Sequence, residues 1–129
     1  MKLLLDTMSI IYLVQSPHLL ASRARAAIED RTNEVFVSLV SPLEMQIKVN
    51  IGKLNLGKPV ADIIRNEISR LRLQLLPITL DHIDTLSGLP AHHKDPFDRL
   101  LIAQALHEGL TLVTDDRYIA KYAAPVLWK

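Results

Sequence analysis

The 129-residue sequence predicts an α/β fold built on a mostly parallel sheet. Three observations predict it. Short apolar or β-branched runs alternate with segments of helical spacing. Acidic and hydroxyl residues follow two of those runs directly, at Asp6-Thr7 and Thr114-Asp115-Asp116. No stretch is rich enough in Gly, Pro or Ser to divide the chain, so residues 1–129 read as one domain. A hydrophobic content of 49% with a net charge of +1 excludes a disordered chain. Near-neutrality also argues against a protein that coats nucleic acid by charge alone. The absence of cysteine excludes a disulfide scaffold, a thiolate zinc site and a cysteine nucleophile.

The elements follow in order. Leu3-Leu4-Leu5 reads as a short buried strand ended by Asp6-Thr7. Ser9 to Val14 and Leu19 to Asp30 carry helical spacing, with the Ser16-Pro17 break between them. Glu34 to Ser38 is β-branched and aromatic, a second strand. Ser41-Pro42-Leu43-Glu44 predicts a helix start, with Ser41 as N-cap and Glu44 completing a capping box, and a stop near Gly52. Pro59 opens a helix to about Leu71, Leu75 to Ile78 is a brief strand, and Asp81 starts a short helix. Asp95-Pro96 opens a helix that Gly109 ends. Thr111 to Thr114 is a strand, Asp115-Asp116 cap a turn through about Tyr122, and Val126 to Trp128 is a last strand. Lys2 and the three leucines are cut off by Asp6, far short of a signal peptide. Ile10 to Val14 is too short to span a bilayer, so the expected location is the cytoplasm, without a membrane partner.

Asp6 and Asp115-Asp116 stand beyond strand ends, while Glu44 and Asp98 stand in first turns of helices. Parallel sheets gather functional groups at that carboxyl edge. Four acids from separated segments can therefore converge, and an all-oxygen cluster without histidine or thiolate suits Mg²⁺ or Mn²⁺. Each acid also has a plainer reading. Asp95, Asp115 or Asp116 can cap helices, and Glu44 can pair with Ser41 or Lys48. Asp98 shares a helical stripe with Leu101, Ile102 and Ala105, so it should face inward, where a carboxylate needs a partner. His92-His93 reads as surface loop rather than a metal pair, because adjacent side chains diverge. His82 and His107 have no chemical company. Arg65, Arg70 and Arg72 read as a solvated face or as an RNA-backbone track. Lys48 and Arg99, close to the acids, are the better candidates for RNA phosphate contact, or else form ion pairs with Glu44 and Asp95.

Leu3-Leu4-Leu5-Asp6-Thr7 resembles the opening of PIN-domain proteins. Ser41-x-x-Glu44-x-x-x-Lys48 with Gly52-Lys53-Leu54 is similar to their second acidic block. The run from His93 through Asp95-Pro96-Phe97-Asp98-Arg99 to Ala105 resembles one VapC-like branch and continues into Gly109 to Asp116. The resemblance covers essentially the whole chain. It implies a three-layer α/β/α sandwich with about five strands, acting as a Mg²⁺- or Mn²⁺-dependent endoribonuclease. It implies that Asp6, Glu44, Asp98 and Asp116 hold the metal and that Thr7 and Thr114 orient the metal shell or the water. The family's Thr-x-Asp spacing picks Asp116 over Asp115. It further implies a toxin silenced by a VapB-like antitoxin, and a homodimer. Met8 and Leu43 depart from the family's usual histidine and aromatic residue, which bears on substrate choice more than on chemistry.

Three rivals are weaker. A haloacid-dehalogenase-like phosphatase needs an Asp where Met8 stands, and a receiver module needs an acid absent from Leu75 to Thr79. A catalytically silent PIN module that only binds RNA or protein would not need all four acids. With those four set aside, the chain carries 15 positive residues against 10 negative, a basic surface suited to phosphate.

Overall fold

Leu3, Leu4 and Leu5 are wholly buried at the centre of the sheet, and the other elements are arranged around them. The computed structural model describes all 129 residues. β1 (Lys2–Leu5) pairs with β2 (Glu34–Ser38) on one side and β4 (Thr111–Val113) on the other. β3 (Gln74–Leu76) and β5 (Val126–Leu127) complete the order β3-β2-β1-β4-β5, and every pairing is parallel. Parallel neighbours need long crossovers, which here run through the helices except between β4 and β5, joined by a loop with one 3-10 turn at Ile119–Lys121.

Side-chain alternation sends the two faces of the sheet into two cores. Leu3, Leu5, Val35, Val37 and Val113 face α1 (Thr7–Gln15), α2 (Ser22–Glu29), α3 (Val40–Asn50) and α4 (Val60–Leu71), which supply Ile10, Ala24, Met45 and Ile64. Leu4 and Leu112 face the opposite layer, where α6 (Pro96–Glu108) contributes Leu101, Ile102 and Ala105. α5 (Leu80–Ser87) packs on α6. The result is the expected α/β/α sandwich.

Chain order also fixes where a ligand crevice opens. From β1 the chain moves outward to β2 and β3, then returns to place β4 on the other flank of β1. Strand order therefore reverses between β1 and β4, and a crevice opens beyond their carboxyl ends. Asp6 leaves β1 at that point and donates its N–H to the Val113 carbonyl, 3.2 Å away.

Two local expectations fail for identifiable reasons. Ser41 is not an N-cap: the helix starts at Val40, whose N–H donates to the Ser38 hydroxyl at 3.0 Å. Ser38, at the end of β2, reaches the first turn sooner, so Ser41 lies inside the helix, fully buried. The third strand is Gln74–Leu76 rather than Leu75 to Ile78, because its partner β2 ends at Ser38 opposite Leu76.

Candidate metal centre

The acids that local sequence scatters are carried to one cleft by the strand ends and helix starts. A cleft of about 320 Å³ is lined by Asp6, Thr7, Glu44, Lys48, His93, Asp95, Asp98, Asp115 and Asp116 among others. Each carboxylate is held by the local structure around it. Asp6 caps α1, accepting the Ser9 N–H at 2.7 Å on Oδ1. Asp95 caps α6, accepting the N–H groups of Phe97 and Asp98 at 2.8 and 3.1 Å. Asp116 accepts from the N–H groups of Tyr118 and Ile119 on Oδ1 and donates its own N–H to the Thr114 hydroxyl. Asp115 is exposed and makes no such bonds.

Capping and site geometry are therefore compatible. Capping occupies Oδ1 of Asp6 and Asp116, and the second oxygen of each makes no bond to that cap. Glu44 is 4% exposed; its Oε2 accepts the Lys48 ammonium at 2.8 Å, while Oε1 is buried with no hydrogen-bond partner. A buried, unpartnered carboxylate oxygen beside other carboxylates fits a cation. At the same cleft the Thr7 hydroxyl donates to the buried Ser41 hydroxyl at 3.1 Å.

The electrostatics agree with that reading. Burial pushes the Asp6 carboxyl above its ordinary value, with the Ser9 and Thr114 hydroxyls pulling the other way and Asp115 adding repulsion. Asp98 is pushed up to about 7, first by burial, then by the charges of Asp95 and Glu44, against an opposing pull from His93. Glu44 raises the Lys48 ammonium, chiefly through their hydrogen bond. So much negative charge in one place disfavours ionisation unless positive charge is added. The donor set suits a hard divalent cation.

His93 is the residue that the sequence reading missed. The sequence predicts a surface-loop position for His93, yet its Nε2 lies 2.9 Å from Asp98 Oδ2 and 3.3 Å from Asp116 Oδ2. These three residues offer ligand atoms within 4.8 Å of one another, a tighter group than one including Asp6 or Glu44. Its Nδ1 accepts the Asp95 N–H at 3.3 Å, which assigns the ring proton of the neutral form to Nε2. His93 thus donates between two carboxylates, so the cluster is not histidine-free. The signal available in sequence was its position two residues before the N-cap Asp95, where the chain turns back over the first turn of α6. His92, as expected, stays outside the cleft, edge-on to Tyr122.

Arg99 also departs from expectation. Its guanidinium reaches the carbonyls of Leu89, Pro90 and His93 and the Tyr122 hydroxyl, so it braces the loop before α6 rather than reaching for phosphate. Four acceptors on a rigid fork consume it. The ion pair with Asp95 is likewise absent. On the middle helix, Arg65 and Arg70 pair with Asp62 and Glu67, the solvated-face reading. His82 is buried and closes a capping box with Thr79 at the start of α5, a structural role.

The architecture, a five-stranded parallel sheet with acids gathered at its switch point, defines the class. The PIN domain family matches residues 3–125, and the chain belongs to that family. Among solved structures, the chain is similar to VapBC2 from Rickettsia felis bound to a promoter DNA fragment, at 16% identity and a TM-score of 0.72, with 100% of both chains covered. It is similar to DNA-bound VapBC from Salmonella typhimurium at 14% identity and a TM-score of 0.70, covering 98% of this chain and 97% of that one. A third is VapBC-5 from Mycobacterium tuberculosis, a member of the VapBC family of toxin–antitoxin systems, at 19% identity and a TM-score of 0.60, covering 98% and 95%. No curated protein sequence matches the chain.

Proposed function

We propose that the chain is a metal-dependent endoribonuclease, the toxin of a VapBC-type pair, that hydrolyses RNA phosphodiester bonds with activated water. The observation that carries the proposal is the meeting of Asp6, Glu44, Asp98 and Asp116 in one cleft, where a buried Glu44 oxygen has no partner. Those four acids would hold Mg²⁺ or Mn²⁺. Held by those residues, such an ion would supply charge neutralisation at the phosphate and a lowered pKa for the attacking water.

The chain's own groups prepare the site. Backbone N–H bonds fix Asp6 and Asp116 before any substrate arrives, so little reorganisation is needed. Lys48 donates to Glu44 Oε2 and adds positive charge at the cleft wall, where a phosphate oxygen would sit. The Thr7 hydroxyl lines the cleft and bonds to the buried Ser41 hydroxyl, while the Thr114 hydroxyl accepts the Asp116 N–H and so orients that carboxylate. Asp115 and Asp95 add negative potential from the rim. His93 separates Asp98 from Asp116 by donating between them.

Association follows from the similar structures and from one surface. Those neighbours are VapBC assemblies, which supports a VapB-like antitoxin as partner. Leu43, Ile47 and Ile51 recur every four residues along α3 and just beyond it, and all three are exposed, as is Leu39 before it. This stripe supports a homodimer through α3. No helix is long and apolar enough to cross a membrane.

The test is end-group analysis of RNA cut by the purified chain. Internal cleavage should leave a 3′-hydroxyl and a 5′-phosphate, and Asp6→Asn or Asp98→Asn should each abolish it in a folded protein. Cyclic phosphate ends, or full activity in either variant, would reject the mechanism.

A further inference from the structure

Beside the acid cleft lies a second cavity of about 340 Å³, lined by Ala91, His92, His93, Lys94 and Tyr118. His93 is a wall of both spaces. A group seated in the second cavity is therefore one side chain away from the acids.

Tyr118 is the unusual member of that lining. The chain has six Phe, Trp and Tyr residues, and Tyr118 alone among them is exposed, at 41%. Tyr122, four residues on, is buried, with its hydroxyl bonded to Pro90, His92 and His93. The Tyr118 hydroxyl makes no such bond, so its ring is not held for the sake of its polar end. Its backbone is nonetheless fixed, because its N–H donates to Asp116 Oδ1 at 2.7 Å. The ring lies 5.6 Å from that of His93.

Positive charge surrounds this ring. The Arg117 guanidinium and the Lys121 ammonium stand 5.3 and 5.1 Å from its centroid. Neither they nor Lys94 pairs with a carboxylate. One exposed aromatic is ordinary. One on an anchored backbone, with two unpaired cations over its ring and sharing a wall with an acid cleft, has the parts of a single-strand nucleic-acid platform: a π-face for a base and cations for its phosphates.

We propose that Tyr118 is the stacking platform for one nucleobase of a single-stranded RNA, with Lys94, Arg117 and Lys121 holding the phosphates on either side. The proposal rests on the ribonuclease reading and names the substrate form at that same site. The base displaces Arg117 and Lys121 from the ring face, and both long side chains turn to the phosphates. Stacking tolerates any base, so this subsite selects for an unpaired strand rather than for a sequence. Its position beside His93 places the stacked nucleotide next to the phosphate that enters the acid cleft.

The experiment uses ten-nucleotide single-stranded RNAs carrying 2-aminopurine at each position in turn. They are bound to the full chain carrying Asp98→Asn, in EDTA, so that no cutting intervenes. The expected result is quenching of 2-aminopurine in the bound single strand, shared among the positions because any base can occupy the ring, and absent with the same RNA as a duplex. Adding Tyr118→Ala should remove the quenching and weaken binding by about 5- to 100-fold, while Tyr118→Phe keeps both. Replacing any one of Lys94, Arg117 or Lys121 by Gln should lower the slope of log affinity against log salt by about 0.7. Equal binding and equal quenching in Tyr118→Ala, with cleavage by the unaltered chain intact, would overturn the platform and leave the ribonuclease reading standing. Failure of the unaltered chain to cut or bind RNA would overturn both.

Discussion

Asp98 carries an electrostatic conflict whose consequences can be measured without substrate. In the metal-free protein its carboxyl is raised from 3.8 to about 7 by burial and neighbouring acids. Between those values the folded state binds more protons than the unfolded state, so stability falls as pH rises through that window. The contribution is fully present below about pH 4 and gone above about pH 7. Thermal melts in EDTA should show this decline, and Asp98→Asn should reduce it, leaving the part that Asp6, also raised by burial, contributes. Mg²⁺ should raise the melting temperature more at pH 8 than at pH 5, because protons compete for the same oxygens. An equal shift at both pH values would count against Asp98 as a ligand. Arg99 makes the opposite kind of prediction. Its guanidinium holds three carbonyls and a hydroxyl, so Arg99→Ala should cost about 1.5–3 kcal/mol in urea unfolding. Arg99→Lys should recover little, since an ammonium cannot span that fork.

At the scale of elements, α6 is the part of the chain most fully legible in the sequence. Asp95-Pro96 starts it and Gly109, at φ +69°, ends it, both as read. Cap chemistry is local, and so its signal lies within a few residues. Asp95→Ala should therefore lower stability by about 1 kcal/mol in denaturant titration, and Asp95→Asn should restore most of it. A loss shared by both variants would show that Asp95 matters for its charge rather than its cap. The start of α3 differs from the sequence expectation because the helix begins at Val40, whose N–H donates to Ser38, before Ser41 could cap it. Ser38 reaches that N–H from the end of β2, a placement that Ser41-Pro42 cannot reveal. His93 was missed for a related reason. Its partners Asp98 and Asp116 meet it through the turn before α6 and the end of β4, and neither contact has a periodic signature. The four acids were legible because strand ends and helix starts are themselves legible. Their separations, and the unpartnered oxygen of Glu44, were not.

At the scale of the whole molecule, the sheet order determines what the acids can do together. Reversal between β1 and β4 sets Asp6 and Asp116 on adjacent strand ends, while α3 and α6 bring Glu44 and Asp98 from opposite layers. The same order leaves the α3 stripe on the outside. Ile47→Asp should shift the protein to a monomer in light scattering, whereas the lone exposed Leu19→Asp should leave the assembly unchanged. The near balance of 15 positive and 14 negative residues conceals a separation. Acids are concentrated in the cleft, and unpaired cations such as Lys94, Arg117 and Lys121 flank it. That distribution suits a chain that draws in phosphate and holds a cation beneath it. The most direct test is cleavage of end-labelled RNA by the purified protein, in EDTA and again after Mg²⁺ is restored. A metal-dependent cleft gives no cutting in EDTA and internal cutting once Mg²⁺ returns. Cutting that persists undiminished in EDTA would contradict that dependence.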